Sequence, residues 1–127
     1  MGKLLYLATV TRPDIAAAIL SGKLSKTSKM DWNAVKRVIR YLKGTSIVKL
    51  KLSASEKSIL TRYVDVDWAG DPIDKKSTSG YLFLLSGRPI SWTSKKQSIV
   101  TLLTTEAEYV AAAHAGLDFL WLRQLQC

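Results

Sequence analysis

The sequence predicts an α/β protein in which helices come first, a set of antiparallel strands follows, and a long helix closes the chain. Three observations carry that reading. Asp31 to Lys43 places Trp32, Val35, Val38, Ile39 and Leu42 on one stripe, the spacing of an amphipathic helix. Between Ile59 and Thr93 the period falls to two or to short apolar runs, which is strand patterning. From Thr104 an alanine-rich segment returns to helix formers and continues past Trp121.

The first elements are helical. Residues 2–9 suit a short helix, and Thr11-Arg-Pro-Asp14 reads as a restart, with Thr11 as N-cap, Pro13 in the first turn and Asp14 on the favourable end of the dipole. That second helix is expected to reach about Leu24. Ser21-Gly-Lys-Leu-Ser25 resembles a phosphate loop, but Ala17 stands where the first glycine of G-x-x-x-x-G-K belongs, so nucleotide binding is rejected there. A polar link, Lys26 to Lys29, precedes the Asp31–Lys43 helix, and Gly44 is placed to end it as a left-handed cap. Lys36, Arg40 and Lys43 share a second stripe beside the apolar one. It reads either as a rail for phosphates or as a solvated flank.

Strands come next. Ile47 to Leu52 and Ile59 to Asp65 alternate on either side of the polar Ser-Ala-Ser-Glu-Lys, which suggests a hairpin. Asp71 to Ser79 is rich in turn formers. Gly80 to Leu85 is nearly all apolar, as a strand buried on both faces would be. Gly87-Arg-Pro89 suits a turn, and Ile90 to Thr93 alternates again. In the final helix Tyr109, Val110, Ala113, Leu117, Leu120 and Trp121 are the expected buried stripe, and the alanines would let it lie close to a sheet.

Composition narrows the class. With 127 residues the chain suits one ordinary core, or parts of two adjoining domains. The one cysteine, Cys127, is the last residue, so there is no internal disulfide, and a reducing cytoplasm or nucleus fits better than secretion. No apolar run is long enough for a membrane span, and the start lacks a signal-peptide pattern. The net charge of +9 lies in the front half: residues 1–60 hold 12 Lys and Arg against 3 Asp and Glu, and residues 61–127 hold 7 against 7. A polyanion beside the front segment is the expected partner.

The stretch with most chemistry is Tyr63-Val-Asp-Val-Asp-Trp-Ala-Gly-Asp71. A strand here puts Asp65 and Asp67 on one face, where oxygen ligands could hold a hard cation; it also reads as an edge strand kept soluble by acids. Glu108 is the second carboxylate of interest. Thr105 three residues before it offers the alternative of a capping box, in which the glutamate does no chemistry. His114, mid-helix among alanines, reads as a surface or packing residue, because no second His or neighbouring Cys completes a site.

TRPDI, RYLKGT, YVDVDWAGD, KKSTSGYLFLL, PISWTSKKQ and TTEAEYVAAAHA, in this order and over essentially the whole chain, resemble the end of the reverse transcriptase and the beginning of the ribonuclease H domain of copia-type LTR retrotransposon Pol polyproteins. The resemblance implies a truncated ribonuclease H-like fold, antiparallel strands 1–3 plus the first helix, preceded by a helical reverse-transcriptase tail. The corresponding segments are residues 1–58 and 59–127. Such a fold lacks the fourth strand that runs parallel to the first, so one edge of the Asp65 strand is expected to be unpaired or covered by the front segment.

The resemblance also assigns roles. The first Asp of Y-x-D-x-D-W, here Asp65, is the strand-borne metal ligand, and the second Glu of T-E-A-E-Y, here Glu108, is the helix-borne one. Ribonucleases H depend on Mg²⁺ and cut the RNA of an RNA–DNA hybrid with two ions about 3.5–4 Å apart. Asp67 and Asp71 would shape the loop or stand behind the ligands. The family's remaining acids lie beyond the last helix seen here, and Asp118, ten residues or about 15 Å along the helix from Glu108, cannot replace them. At most one weakly held ion is therefore expected. The implied partners are nucleic acid, namely the RNA–DNA hybrid, and the rest of the polyprotein, with no membrane. Two other classes stay open: a transposon-derived module that binds nucleic acid or protein through Lys36, Arg40 and Lys43 without catalysis, and a purely structural piece.

Overall fold

The computed structural model describes residues 2–20, 29–52, 59–70 and 74–125, the first three residues of the second stretch for their main chain alone. They form two compact units, Met1–Lys51 and Leu52–Cys127, dividing the chain earlier than the boundary expected after residue 58. The expected helix end at Leu24, the connection 53–57 and Asp71 lie outside the described residues.

The first unit is helical: α1 (Gly2–Val10), a 3₁₀ turn (Pro13–Ile15), α2 (Ala16–Leu20) and α3 (Lys29–Gly44). Its core is Ala8, Ile15, Ile19 and Val35, enclosed by Leu7, Val38 and Leu42 among others. The apolar stripe of α3 is only partly used, since Val35, Val38 and Leu42 pack while Trp32 and Ile39 are exposed. Two caps differ from expectation. Arg12, not Thr11, precedes the 3₁₀ turn and makes no side-chain cap, whereas the Thr11 N–H still donates to the Leu7 carbonyl at 3.1 Å as a continuation of α1. Gly44 belongs to α3 and is not left-handed, and just after it the Thr45 N–H and hydroxyl both donate to the Tyr41 carbonyl, at 2.9 and 2.8 Å. Residues 48–52 are irregular and Ile47 is exposed, so the first arm of the expected hairpin is not a strand.

The TRPD and RYLKGT motifs meet in this unit. The Arg12 guanidinium grips Asp14 with two bonds, Nε to Oδ1 at 3.0 Å and Nη2 to Oδ2 at 2.7 Å. It also donates to the hydroxyl of Thr45 at 2.7 Å and to its carbonyl at 3.3 Å. The Tyr41 hydroxyl donates to Asp14 Oδ2 at 2.8 Å while its ring lies 5.7 Å from the guanidinium carbon. Fork geometry of this kind makes a strong charged pair. Asp14 thus answers Arg12 and Tyr41, a partnership that sequence spacing did not reveal.

The second unit is a sheet of three antiparallel strands, β1 (Leu60–Asp67), β2 (Thr78–Leu85) and β3 (Arg88–Lys96), in the order β1-β2-β3, with α4 (Thr104–Leu125) across it. β2 and β3 join through Ser86-Gly87, both at positive φ (52° and 77°), the two-residue turn whose twist matches a hairpin. The turn is therefore one residue earlier than Gly87-Arg-Pro89, and Arg88 and Pro89 already belong to β3. Phe83 pairs with Ser91 but Leu84 with Pro89, so Ile90 is an extra residue, a bulge in β3.

α4 lies on the sheet through Ala107, Ala111 and Ala115, all buried and four residues apart. Most of the stripe expected to be buried faces outward instead: Tyr109 is 74% and Leu117 69% exposed, Ala113, Leu120 and Trp121 are also exposed, and only Val110 of that stripe is half-buried. Small residues win the inner face because they bring the helix axis nearest to the sheet, where Phe83 fills the space beneath. With α4 packed against one face, β2 buries Phe83 fully and leaves Leu82, Leu84 and Leu85 half-buried, short of the two-sided burial expected.

Candidate functional site

β1 ends in a turn built by its own acid. Ala69 adopts φ 47°, and a Cβ on Gly70 would overlap the Asp67 carboxylate, so residue 70 must be glycine for Asp67 to fold over the turn. Asp67 therefore shapes the loop. A buried polar group holds the next segment: the Ser77 hydroxyl accepts the Ala69 N–H at 3.1 Å and contacts the Thr101 hydroxyl at 3.5 Å. Gln97 Nε2 donates to both the Ser79 hydroxyl, at 2.8 Å, and the Ala107 carbonyl, at 2.9 Å. The KKSTSG and SKKQ motifs thus tie β2, β3 and the start of α4 together.

Which side each residue faces follows from these contacts. The Ser79 hydroxyl reaches Gln97 under α4, Tyr81 donates to the Asp118 carboxylate, and Phe83 lies 6.2 Å from the Phe119 ring. Their partners on β1, Val66, Val64 and Arg62, share that face, and the Arg62 guanidinium sits 5.2 Å from the Phe119 centroid. By alternation Tyr63, Asp65 and Asp67 belong to the other face. Asp65 does not stay there: its Oδ1 accepts the N–H of its neighbour Val66 at 2.9 Å. The Ser86 N–H donates to the Ile59 carbonyl at 2.8 Å, so odd-numbered β1 residues bond to β2 and the Val66 amide points to the open edge. The Asp65 carboxylate is accordingly on that edge, beside Val66.

Glu108 stands on α4, one residue after Ala107. Gln97 ties Ala107 to Ser79, the β2 partner of Val66. Glu108 follows, eleven residues before Phe119 and so within about 20° of it around the helix, on the flank that Phe119 turns toward β1. Glu108 is exposed and has no hydrogen bond or ion pair among the described residues. The capping glutamate is Glu106, whose Oε2 accepts the N–H of Leu102 at 2.9 Å and of Leu103 at 3.4 Å. The capping-box alternative for Glu108 is thereby corrected.

Other candidates fall elsewhere. Lys36, Arg40 and Lys43 are exposed along α3, with Lys36 Nζ 5.6 Å from the exposed Trp32 ring. His114 and Asp118 line a cleft of about 530 Å³ between α4 and β3, together with Tyr81, Lys95 and Gln97. Burial, reinforced by Asp118, pushes the Tyr81 hydroxyl above its ordinary range and keeps it a proton donor. Among the described residues no three His, Cys, Asp or Glu side chains gather as a metal site, and no described helix is long and apolar enough to cross a membrane.

Known proteins share this sequence along nearly its full length. It is 47% identical over 98% of its residues to the retrovirus-related Pol polyprotein from transposon TNT 1-94 of Nicotiana tabacum, and 43% identical over 98% to that from transposon RE2 of Arabidopsis thaliana. The chain belongs to the Pol polyproteins of copia-type retrotransposons. It spans 9% of the length of each of those two polyproteins. A shorter relative, secreted RxLR effector protein 161 of Plasmopara viticola, is 46% identical over 96% of this chain and 87% of its own. No family model and no solved structure matches the chain.

Proposed function

We propose that this copia-type Pol segment joins the end of the reverse transcriptase to the start of the ribonuclease H, and that its second unit begins a ribonuclease H-like fold acting on RNA–DNA hybrid. Family membership and the order of three antiparallel strands and a helix support the reading. The observation that carries it is that Glu108, left exposed while Glu106 caps the helix, stands near the start of the helix that packs across the sheet whose first strand carries Asp65.

Asp65 and Glu108 are the residues that would hold Mg²⁺. Two carboxylates suit a hard cation in kind but not in number, since an octahedral ion needs more oxygen ligands and two ions need more still. The fit is partial. When bound in a complete site, such ions activate water and stabilise the leaving oxygen. The chain's own contribution is to fix one ligand on a strand and one on a helix, and to offer Lys36, Arg40 and Lys43 to the phosphates of a hybrid.

A hybrid-cleavage assay with Mg²⁺ or Mn²⁺, run beside Mn²⁺ titration, tests this. Weak Mn²⁺ binding lost in both Asp65→Asn and Glu108→Gln, with negligible cutting by the 127-residue chain, is the expected result. Mn²⁺ binding indifferent to both substitutions would sink the site. The second reading, a module that binds nucleic acid without chemistry, draws on the exposed cationic rail of α3 and predicts salt-sensitive binding with no metal dependence.

A further inference from the structure

The cleft between α4 and β3 has both walls in the second unit and is lined by none of Asp65, Glu108 and the cations of α3. In the register of the hairpin Ser79 pairs with Lys95 and Tyr81 with Thr93, so these four share the α4 side of the sheet. Gln97 also lines the cleft while only 4% exposed. Its Nε2 is identified by the bond to the Ala107 carbonyl, which can only accept, so the other end of the amide is Oε1. That oxygen is buried and has no hydrogen-bond partner among the described residues, an unfavourable state for an acceptor. Asp118, on the helix wall, takes one hydrogen bond from Tyr81 and keeps acceptor capacity to spare. The exposed members of the lining carry unbalanced charge. Lys96 is answered by Asp74 at 3.0 Å, but Lys95 and His114 have no hydrogen bond or ion pair among the described residues. Ala111 and Leu117 supply the apolar part of the wall.

We propose that this cleft binds a single nucleotide whose base carries an exocyclic amine, with the phosphate held by Lys95 and the amine donating to Gln97 or Asp118. Three properties of the lining select that class. The unanswered cation calls for an anion, the spare acceptors call for a donor, and the apolar wall calls for a flat hydrophobic surface. A phosphate alone would answer Lys95 and leave the acceptors unmet, and an apolar ligand would satisfy neither. The volume of about 530 Å³ falls among small-molecule sites, which span about 300–1,000 Å³. Binding here needs no metal and no contact with Asp65, so it stands or falls separately from the carboxylate site.

Titration of the ¹⁵N-labelled 127-residue chain with adenosine monophosphate in EDTA, followed by NMR, tests it. Saturable shifts at residues 79–81, 93–98 and 111–118, with a Kd of about 1 mM or tighter, are expected. Inosine monophosphate, which carries an oxygen in place of the amine, and ribose 5-phosphate, which lacks the base, should each bind at least about tenfold more weakly. Lys95→Gln, at an exposed position, should weaken adenosine monophosphate at least about fivefold and leave adenosine unchanged, whereas Lys51→Gln, an exposed lysine of the first unit, should change neither. A nucleotide that does not saturate the chain in that range, equal binding of the adenosine and inosine monophosphates, or equal losses in the two lysine variants would overturn the proposal.

Discussion

The Glu106 carboxylate accepts the Leu102 N–H at 2.9 Å, closing the start of α4 and leaving Glu108, two residues on, without a structural task. Helix starts leave amides unpaired, and a third-position glutamate reaching back satisfies them. Two glutamates in the same turn thus divide into one for folding and one for the exposed flank over β1.

Their substitutions should separate accordingly. Glu106→Ala is expected to cost about 0.5–2 kcal/mol, the usual loss of a cap, whereas Glu108→Gln should stay within about 0.5 kcal/mol. Urea unfolding of the second unit checks both. Equal losses at the two positions would contradict the division.

The inner face of α4 should tolerate no added bulk. Ala111→Leu inserts three carbons where the helix meets the sheet and is expected to cost about 1–3 kcal/mol by overpacking. Leu117→Ala on the outer face should cost little, because that side chain is 69% exposed. Thermal melts of the two variants compare them directly, and the reverse order would restore the outer stripe as the buried one.

Strand positions and the start of the long helix were legible because period two, apolar runs and alanine-rich helix formers are local signals: β1 and β2 fall within two residues of where the pattern put them, β3 within three, and α4 starts at Thr104. What failed depended on neighbours. The stripe Tyr109, Leu117 and Leu120 is apolar by sequence, yet closeness to the sheet decides burial, and alanine wins it. Ile47–Leu52 alternates like a strand but has no partner strand among the described residues. At the candidate site Asp65 and Glu108 could be singled out by resemblance. That the Asp65 carboxylate turns to the edge at Val66, and that Glu106 rather than Glu108 caps, depends on the pairing side of β1 and on where α4 starts, which no local pattern encodes.

The rail on α3 makes a prediction about salt. If Lys36, Arg40 and Lys43 each neutralise a phosphate, the logarithm of the hybrid-binding constant should fall with the logarithm of salt, and replacing all three with glutamine should lower that slope by about 2–3. Fluorescence anisotropy with a labelled hybrid at several salt concentrations measures it. An unchanged slope would make the rail a solvated flank.

Acid should loosen the first unit through Asp14. Its bonds to Arg12, and then to Tyr41, hold the carboxyl down to about 2 from the ordinary 3.8. A depressed folded-state value means stability that is fully present above the unfolded pKa and is lost as pH falls through the folded one. The window is thus from about pH 4 down to about pH 2. A shift of this size corresponds to about 1–2 kcal/mol after allowance for solvent at a side chain about one-third exposed. Arg12→Ala should remove that contribution at neutral pH and flatten the dependence below pH 4, while Tyr41→Phe, which leaves the guanidinium in place, should keep most of it. Denaturation followed at pH 6, 4 and 2 distinguishes them, and a parent whose first unit is equally stable at all three would show that Asp14 contributes nothing.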